Sequence, residues 1–298
     1  MPVLVLLALA LLVGVVVGLL AWRYPQIAEP SSTPAVDAAE KVGEAVGRQP
    51  RLRALLKARL DPTVATGLAL TLALVVVICG GVLFGVLAYL VRTNAHLVGI
   101  DMSVAKWGSR HASPTSTTLL GDATQLGSVY VVIALCVVLA VVETVREKSV
   151  WVVPFILAVV GGEEALTLTV KQLVDRLRPT FNPAAATLGP SFPSGHSATA
   201  AAFYATVALL LGRGRARPAR AVITGLAAGV AVGVAASRVL LDVHWLTDVI
   251  AGLSLGWMWF ALCAIAFGGR ILRFGVAAES AARAARATRR RPRSVHAK

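Results

Sequence analysis

Long stretches almost free of charge alternate along this chain with short segments rich in Arg, Lys, Ser, Pro and Gly. The charge-poor runs cover about 4–21, 64–91, 126–142, 149–170, 197–211, 221–236 and 249–267. Most approach the ~20 residues that a helix needs to cross ~30 Å of hydrocarbon, so seven membrane-spanning helices are expected. The runs at 197–211 and 221–236 are short for a span, and flanking residues are expected to continue those two helices inside a protein bundle. The predicted fold class is all-α, a polytopic membrane helix bundle.

Composition strengthens this picture. The chain is 57% hydrophobic and 15% charged, with a mean hydropathy of +0.75, an apolar surface that a water-soluble domain could not expose. Charge then sets the orientation. If segments 22–63, 143–149, 212–220 and 268–298 face the cytoplasm, they carry most of the 29 Lys and Arg residues; only Arg92, Lys106, Arg110, Lys171, Arg176, Arg178 and Arg238 fall on the opposite side. That asymmetry predicts the N-terminus outside and the C-terminus in the cytoplasm of a multi-pass cell-membrane protein. The net charge of +14 is accounted for by topology and by contact with an anionic leaflet, so no nucleic-acid partner is expected.

The first run has no basic residue before it and reaches Trp22 and Arg23 directly, which favours a retained helix over a cleaved signal. In the linker behind it, Thr33 and Pro34 resemble a helix cap and first position. Further on, "RLRALLKARLDP" places Leu52, Leu55, Leu56 and Leu60 on one stripe among Arg51, Arg53, Lys57 and Arg59, the pattern of a helix lying on the inner membrane surface. Cys79, Cys136 and Cys263 fall inside apolar runs without CxxC spacing and read as small packing residues. There is no GxxxxGK[ST] phosphate loop and no HExxH, which removes the commonest nucleotide and zinc readings.

Three polar segments, all on the predicted outer side, carry the chemistry. In "KQLVDRLRP", Lys171 and Arg178 are seven residues apart, about 20° around a helix axis, so they are predicted to share one helical face before Pro179 ends it. In "PSGH", Ser194 and Gly195 open the fifth span, where unpaired backbone N–H groups and a positive dipole favour an anion. His196 would face that anion from the first turn. In "SRVLLDVHWLTDV", His244 and Asp248 are one helical turn apart, and Arg238 lies just before them. The carboxylate can hold one ring nitrogen and leave the other as a lone pair, and the guanidinium suits phosphate oxygens.

Together these segments resemble the three signatures of the type 2 phosphatidic acid phosphatase superfamily, the lipid phosphate phosphatases: K-x6-RP, PSGH and SR-x5-H-x3-D, all complete and in order. "LGDATQLGS" also looks family-like, though weakly. The resemblance covers roughly 64–267 and implies a six-helix lipid phosphatase core there; outside it, hydropathy and charge leave an extra N-terminal transmembrane helix at 1–21, a cytoplasmic linker with the basic helix at 22–63 and a basic cytoplasmic tail at 268–298. It also implies roles. His244 is similar to the family's nucleophile, Asp248 to the residue that fixes its tautomer, and His196 to the general acid and base. Lys171, Arg178, Ser194, Gly195 and Arg238 are similar to the phosphate cradle, with no metal and no cofactor required.

The implied activity is hydrolysis of a lipid phosphate or pyrophosphate, of the polyprenyl diphosphate, phosphatidate or phosphatidylglycerophosphate class, through a phosphohistidine at the extracytoplasmic face. The expected partners are that substrate and the membrane lipids; a homo-oligomer is compatible with the sequence. Two alternatives stand beside it: a phosphotransferase passing the group to an alcohol, and a non-enzymatic lipid-binding protein that keeps the fold. The soluble chemistry of vanadium haloperoxidases, which share a similar oxyanion cradle, does not suit the multiple spans. Glu163 and Glu164 lie inside the fourth span and read as buried hydrogen-bonded groups. Trp22, Tyr89, Trp107 and Trp151 read as interfacial anchors, and Trp245 as a shaper of the lipid entrance.

Overall fold

The structure, a computed structural model, describes residues 1–23, 66–93, 95–147 and 149–271. Among them are nine α-helices and no strand: α1 (Pro2–Arg23), α2 (Thr66–Thr93), α3 (Ala95–His111), α4 (Pro114–Gln125), α5 (Val129–Glu147), α6 (Val152–Val174), α7 (Gly195–Gly212), α8 (Arg217–Leu240) and α9 (Leu246–Ile271). Seven of these, all but α3 and α4, are long and apolar enough to cross a membrane. The two short runs are indeed extended by their flanks, to Gly195–Gly212 and Arg217–Leu240. The basic amphipathic segment at 51–60, the cap at Thr33 and Pro34, and the basic tail lie outside the described residues.

The chain divides into one unit of Met1–Pro25 and Leu72–Ile265 and a second of Gln26–Thr71 and Ala266–Lys298. In the second, the described residues are the first turns of α2 and the last of α9. The first unit holds everything that follows.

Helix α7 is the core of the bundle and packs against α5, α6 and α8. Its "ATAAAF" stretch buries Ala198, Ala200, Ala201, Ala202 and Phe203, and small side chains let neighbouring backbones approach, the main packing device where lipid removes the hydrophobic drive between helices. The same device joins α9 to α7. A Cβ on Gly252 would lie 2.5 Å from the Ser194 carbonyl oxygen, so only glycine lets the start of α9 press against the start of α7. The extra helix α1 docks on α8 through Gly14 and Gly18 against Gly225 and Gly229; a Cβ on Gly225 would sit 2.5 Å from the Gly14 carbonyl oxygen. The pair runs antiparallel, since Leu6 clusters with Leu240 while Gly18 meets Ala221. The N-terminus of α1 is thereby at the same end as the C-terminus of α8. At the opposite end the buried Glu143 pairs with Arg146 at 2.7 Å and Arg213 at 3.0 Å, tying α5 to α7.

Helices α3 and α4, between the second and third spans, are not visible in hydropathy. Helix α4 starts from a capping box in which the Ser113 hydroxyl accepts from the Ser116 N–H and Ser116 returns the bond, with Pro114 in the first turn. Inside the fourth span, both carboxylate oxygens of the buried Glu163 accept hydrogen bonds, from Thr167 at 2.6 Å and Thr199 at 2.9 Å, in line with a packing role. All three cysteines are free; Cys263 is buried, whereas Cys79 is exposed on its helix.

Candidate active site

The sequence-predicted residues converge at one end of the bundle, but two of the local geometries differ from the predicted ones. Helix α6 stops at Val174, because Asp175 takes the left-handed conformation with φ 46°. Lys171 therefore ends a helix while Arg178 sits on the following loop, so the two do not share a helical face. The loop itself brings them together: Lys171 Nζ donates to the Pro190 carbonyl at 2.7 Å, and Arg178 donates to Gly189 at 2.9 Å and Pro190 at 3.3 Å. Gly189, with φ 72°, supplies the turn that aims these carbonyls at the cations.

His244 likewise is not on α9, which begins at Leu246. It lies on the connection from α8, held by its N–H donating to the Arg238 carbonyl at 3.2 Å. Asp248, in the first turn of α9, reaches back: its Oδ2 is 3.5 Å from His244 Nδ1 and accepts from the Trp245 N–H at 3.0 Å. The Ser191 hydroxyl donates to the same oxygen and lies 3.4 Å from His244 Nδ1. With Nδ1 facing the carboxylate, Nε2 carries the lone pair, and it accepts from Arg178 Nη1 at 3.2 Å. Arg178 Nη1 is itself fixed on the Val243 carbonyl at 2.7 Å.

The start of α7 completes the pocket. Ser194 is the N-cap of α7 and uses no side-chain cap bond; its N–H donates to the Asp248 carbonyl at 3.0 Å, and Ser197 donates to its hydroxyl at 2.9 Å. Gly195 is the first residue of α7, where a helix leaves its backbone N–H groups without intrahelical acceptors. His196 lies in electrostatic range of Arg238, His244, Arg178 and Lys171. Arg238 is 8% exposed. Its Nη1 donates to Thr124 of α4 at 3.2 Å, while its Nε has no hydrogen-bond partner among the described residues, a donor that an anion would satisfy.

Burial pushes the His244 imidazole down to about 4, against the pull of Asp248, so the ring is neutral at neutral pH and Nε2 keeps its lone pair. A ¹⁵N-histidine titration, with His244 assigned by substitution, should show that ring neutral down to about pH 5; a cationic ring at pH 6 would contradict this environment. The sign for stability follows: as pH falls from about 6.5 toward 4, the unfolded chain takes up a proton that folded His244 refuses, and stability drops.

Several members of the cluster were not anticipated. Arg176 bridges Asp101 and Asp248, Ser191 and Thr247 join the same network, and Thr124 holds Arg238. A signal for Asp101 was present: it is the only acidic residue between Asp61 and Asp122. Among the described residues no group of three His, Cys, Asp or Glu side chains could hold a metal ion.

Comparison with known proteins gives the family. The PAP2 superfamily matches residues 149–271, the part that contains all three segments. Phosphatidylglycerophosphatase B of Bacillus subtilis (strain 168) is 32% identical over 196 residues, covering 64% of this chain and 94% of the relative. A lipid A 1-phosphatase of Rhizobium johnstonii is 43% identical over a shorter stretch, 24% of this chain and 25% of the relative. The crystal structure of a transmembrane PAP2 type phosphatidylglycerolphosphate phosphatase from Bacillus subtilis superimposes with a TM-score of 0.61 at 29% identity, covering 65% of this chain and 96% of that one.

Proposed function

This chain belongs to the PAP2 superfamily and is a phosphoric monoester hydrolase acting on membrane lipid phosphates, and from that premise we propose a metal-independent reaction through a phosphohistidine on His244. The observation that carries the proposal is the pairing of His244: Nδ1 toward Asp248 and Nε2 toward Arg178, so the one nucleophilic lone pair faces the cationic cluster.

In the first step the Nε2 lone pair attacks phosphorus, the bond from phosphorus to the lipid oxygen breaks, and His196 gives that oxygen its proton. The phosphorylated imidazole is cationic, and Asp248 stabilises it. In the second step His196 takes a proton from water as the water oxygen attacks phosphorus; the N–P bond breaks and returns the electron pair to Nε2. Phosphate leaves and both histidines are as they began. Lys171, Arg178, Arg238, the Ser194 hydroxyl and the Gly195 N–H hold the equatorial oxygens, where charge accumulates in the transition state.

The substrate class is a lipid phosphate or pyrophosphate, with phosphatidylglycerophosphate favoured by the likeness to phosphatidylglycerophosphatase B over 94% of that relative, and the site faces outward. Support for the face comes from charge: the basic residues Arg146 and Arg213 lie at the end of the bundle opposite the site, and basic connections favour the cytoplasmic side. In a cysteine-free background, single cysteines near Ala112 should react with an impermeant thiol reagent in intact cells and one at Ala216 should not; the reverse pattern would put the site in the cytoplasm.

The function itself is tested by phosphate release from purified protein across a panel of lipid phosphates, with and without an alcohol acceptor. Release should survive chelator and be blocked by vanadate, a mimic of the transferring phosphoryl group. Full loss with chelator, restored by magnesium, would refute the cradle mechanism, and transfer to the alcohol in place of water would identify a phosphotransferase.

A further inference from the structure

The carboxylate that orients His244 is itself held by a charged network that reaches into α3. Asp248 Oδ1 accepts from Arg176 Nη1 at 2.5 Å. The same Nη1 donates to Thr247 Oγ1 at 2.7 Å, and Nη2 donates to Asp101 Oδ2 at 2.7 Å. Asp101 then closes the circle on the first turn of α9, its Oδ1 accepting from the Thr247 N–H at 3.0 Å and its Oδ2 from the Thr247 hydroxyl at 2.6 Å. Asp101 is 1% and Asp248 0% exposed. The guanidinium also stacks on Trp245, 5.5 Å from its ring centroid, while Trp245 Nε1 donates to the Leu177 carbonyl at 2.8 Å.

A stabilising pair would need one carboxylate for one guanidinium, and burying a third charge is costly unless something uses it. Arg176 alone beside Asp248 would draw the negative charge away from His244. Asp101 offsets that guanidinium, so the group of three keeps one net negative charge, and Asp248 is the carboxylate that turns an oxygen, Oδ2, to His244. The geometry adds a second effect: Asp101 and Arg176 grip both the first turn of α9 and the Asp248 side chain, which leaves Asp248 one orientation. Resting on the phosphohistidine reading above, we propose that Arg176 and Asp101 are positioning residues, which lock Asp248 onto His244 Nδ1 and preserve the net negative charge that a phosphorylated His244 requires.

The test uses the full-length protein in detergent, with a lipid phosphate and an aryl phosphate as substrates. Asp101→Asn keeps the size and removes the charge, leaving Arg176 uncompensated. It should lower kcat by about 10–100-fold, the scale found when groups that orient metal-bound histidines are removed, with KM within about twofold because the phosphate cradle is untouched. Adding Arg176→Gln to Asp101→Asn removes the uncompensated guanidinium, so the double variant should be no slower than Asp101→Asn alone. A purely structural role would lower the folded fraction and make the two losses additive. If Asp101→Asn fails to fold, Arg176→Lys provides the reading: it keeps the charge but cannot hold both carboxylates at once, and kcat should fall with KM unchanged.

Folded Asp101→Asn or Arg176→Lys with kcat within about twofold of the parent overturns the inference, as does additivity in the double variant. The parent protein's phosphoenzyme separates the two levels. If it forms and the variants are unimpaired, only the positioning network is wrong; if it never forms, the phosphohistidine reading fails and the inference falls with it.

Discussion

Replacing His244 by alanine should remove phosphoenzyme formation altogether and reduce kcat by about 10⁴–10⁶-fold, the scale seen when the nucleophile of a concerted set is deleted. Among the candidate site residues, His244 Nε2 is the ring nitrogen whose lone pair is turned to the Arg178 guanidinium, from which it accepts at 3.2 Å and which a bound phosphoryl group would draw off; the neighbouring carboxylate, Asp248, has both oxygens engaged by Arg176, Trp245 and Ser191. Vanadate binding, read by displacement or by calorimetry, should survive at comparable strength because the three cations remain. A His244→Ala protein that still forms phosphoenzyme would move the nucleophile elsewhere. One that loses vanadate binding along with activity would mean that the histidine organises the pocket.

The second large effect separates the two histidines. His196→Ala keeps the nucleophile and the cradle but removes the proton donor, a loss of about 10²–10⁴-fold on a lipid phosphate, whose alkoxide is a poor leaving group. An aryl phosphate departs without protonation, so its first step should recover much of that loss. Water attack would still lack its base, and phosphoenzyme should accumulate in His196→Ala given an aryl phosphate, stable under alkaline quench. If His196→Ala and His244→Ala are equally inactive on the aryl substrate, with nothing trapped in either, the two roles are wrongly divided.

Much of this site was legible in the sequence, and the reason is physical. In a chain where charge is expelled from the hydrocarbon, the ionisable residues left at helix ends on one side stand out, so Lys171, Arg178, His196, Arg238, His244 and Asp248 could be singled out without coordinates. Hydropathy likewise located all seven spans. The local geometry was less legible. Seven-residue and four-residue spacings suggested helical faces, yet Arg178 lies on a loop shaped by the left-handed Asp175 and by Gly189, and His244 on one that contains the left-handed Asp242. The side chains that brace the site from α3 and α4 escaped altogether. Asp101 meets Thr247, and Thr124 meets Arg238, across more than a hundred residues of chain, and no local periodicity encodes such a contact. Helices α3 and α4 carry too few apolar residues to register as spans, although the Ser113–Pro114–Ser116 start of α4 was a readable capping signal.

The central claim, two successive transfers through His244, is tested most directly by the stereochemistry at phosphorus. A substrate whose phosphoryl group is made chiral with oxygen isotopes and sulfur is turned over in labelled water, and the configuration of the released thiophosphate is read by ³¹P NMR. Two in-line displacements, first by His244 Nε2 and then by water, predict net retention of configuration. Net inversion would mean a single direct attack by water and would contradict the phosphohistidine.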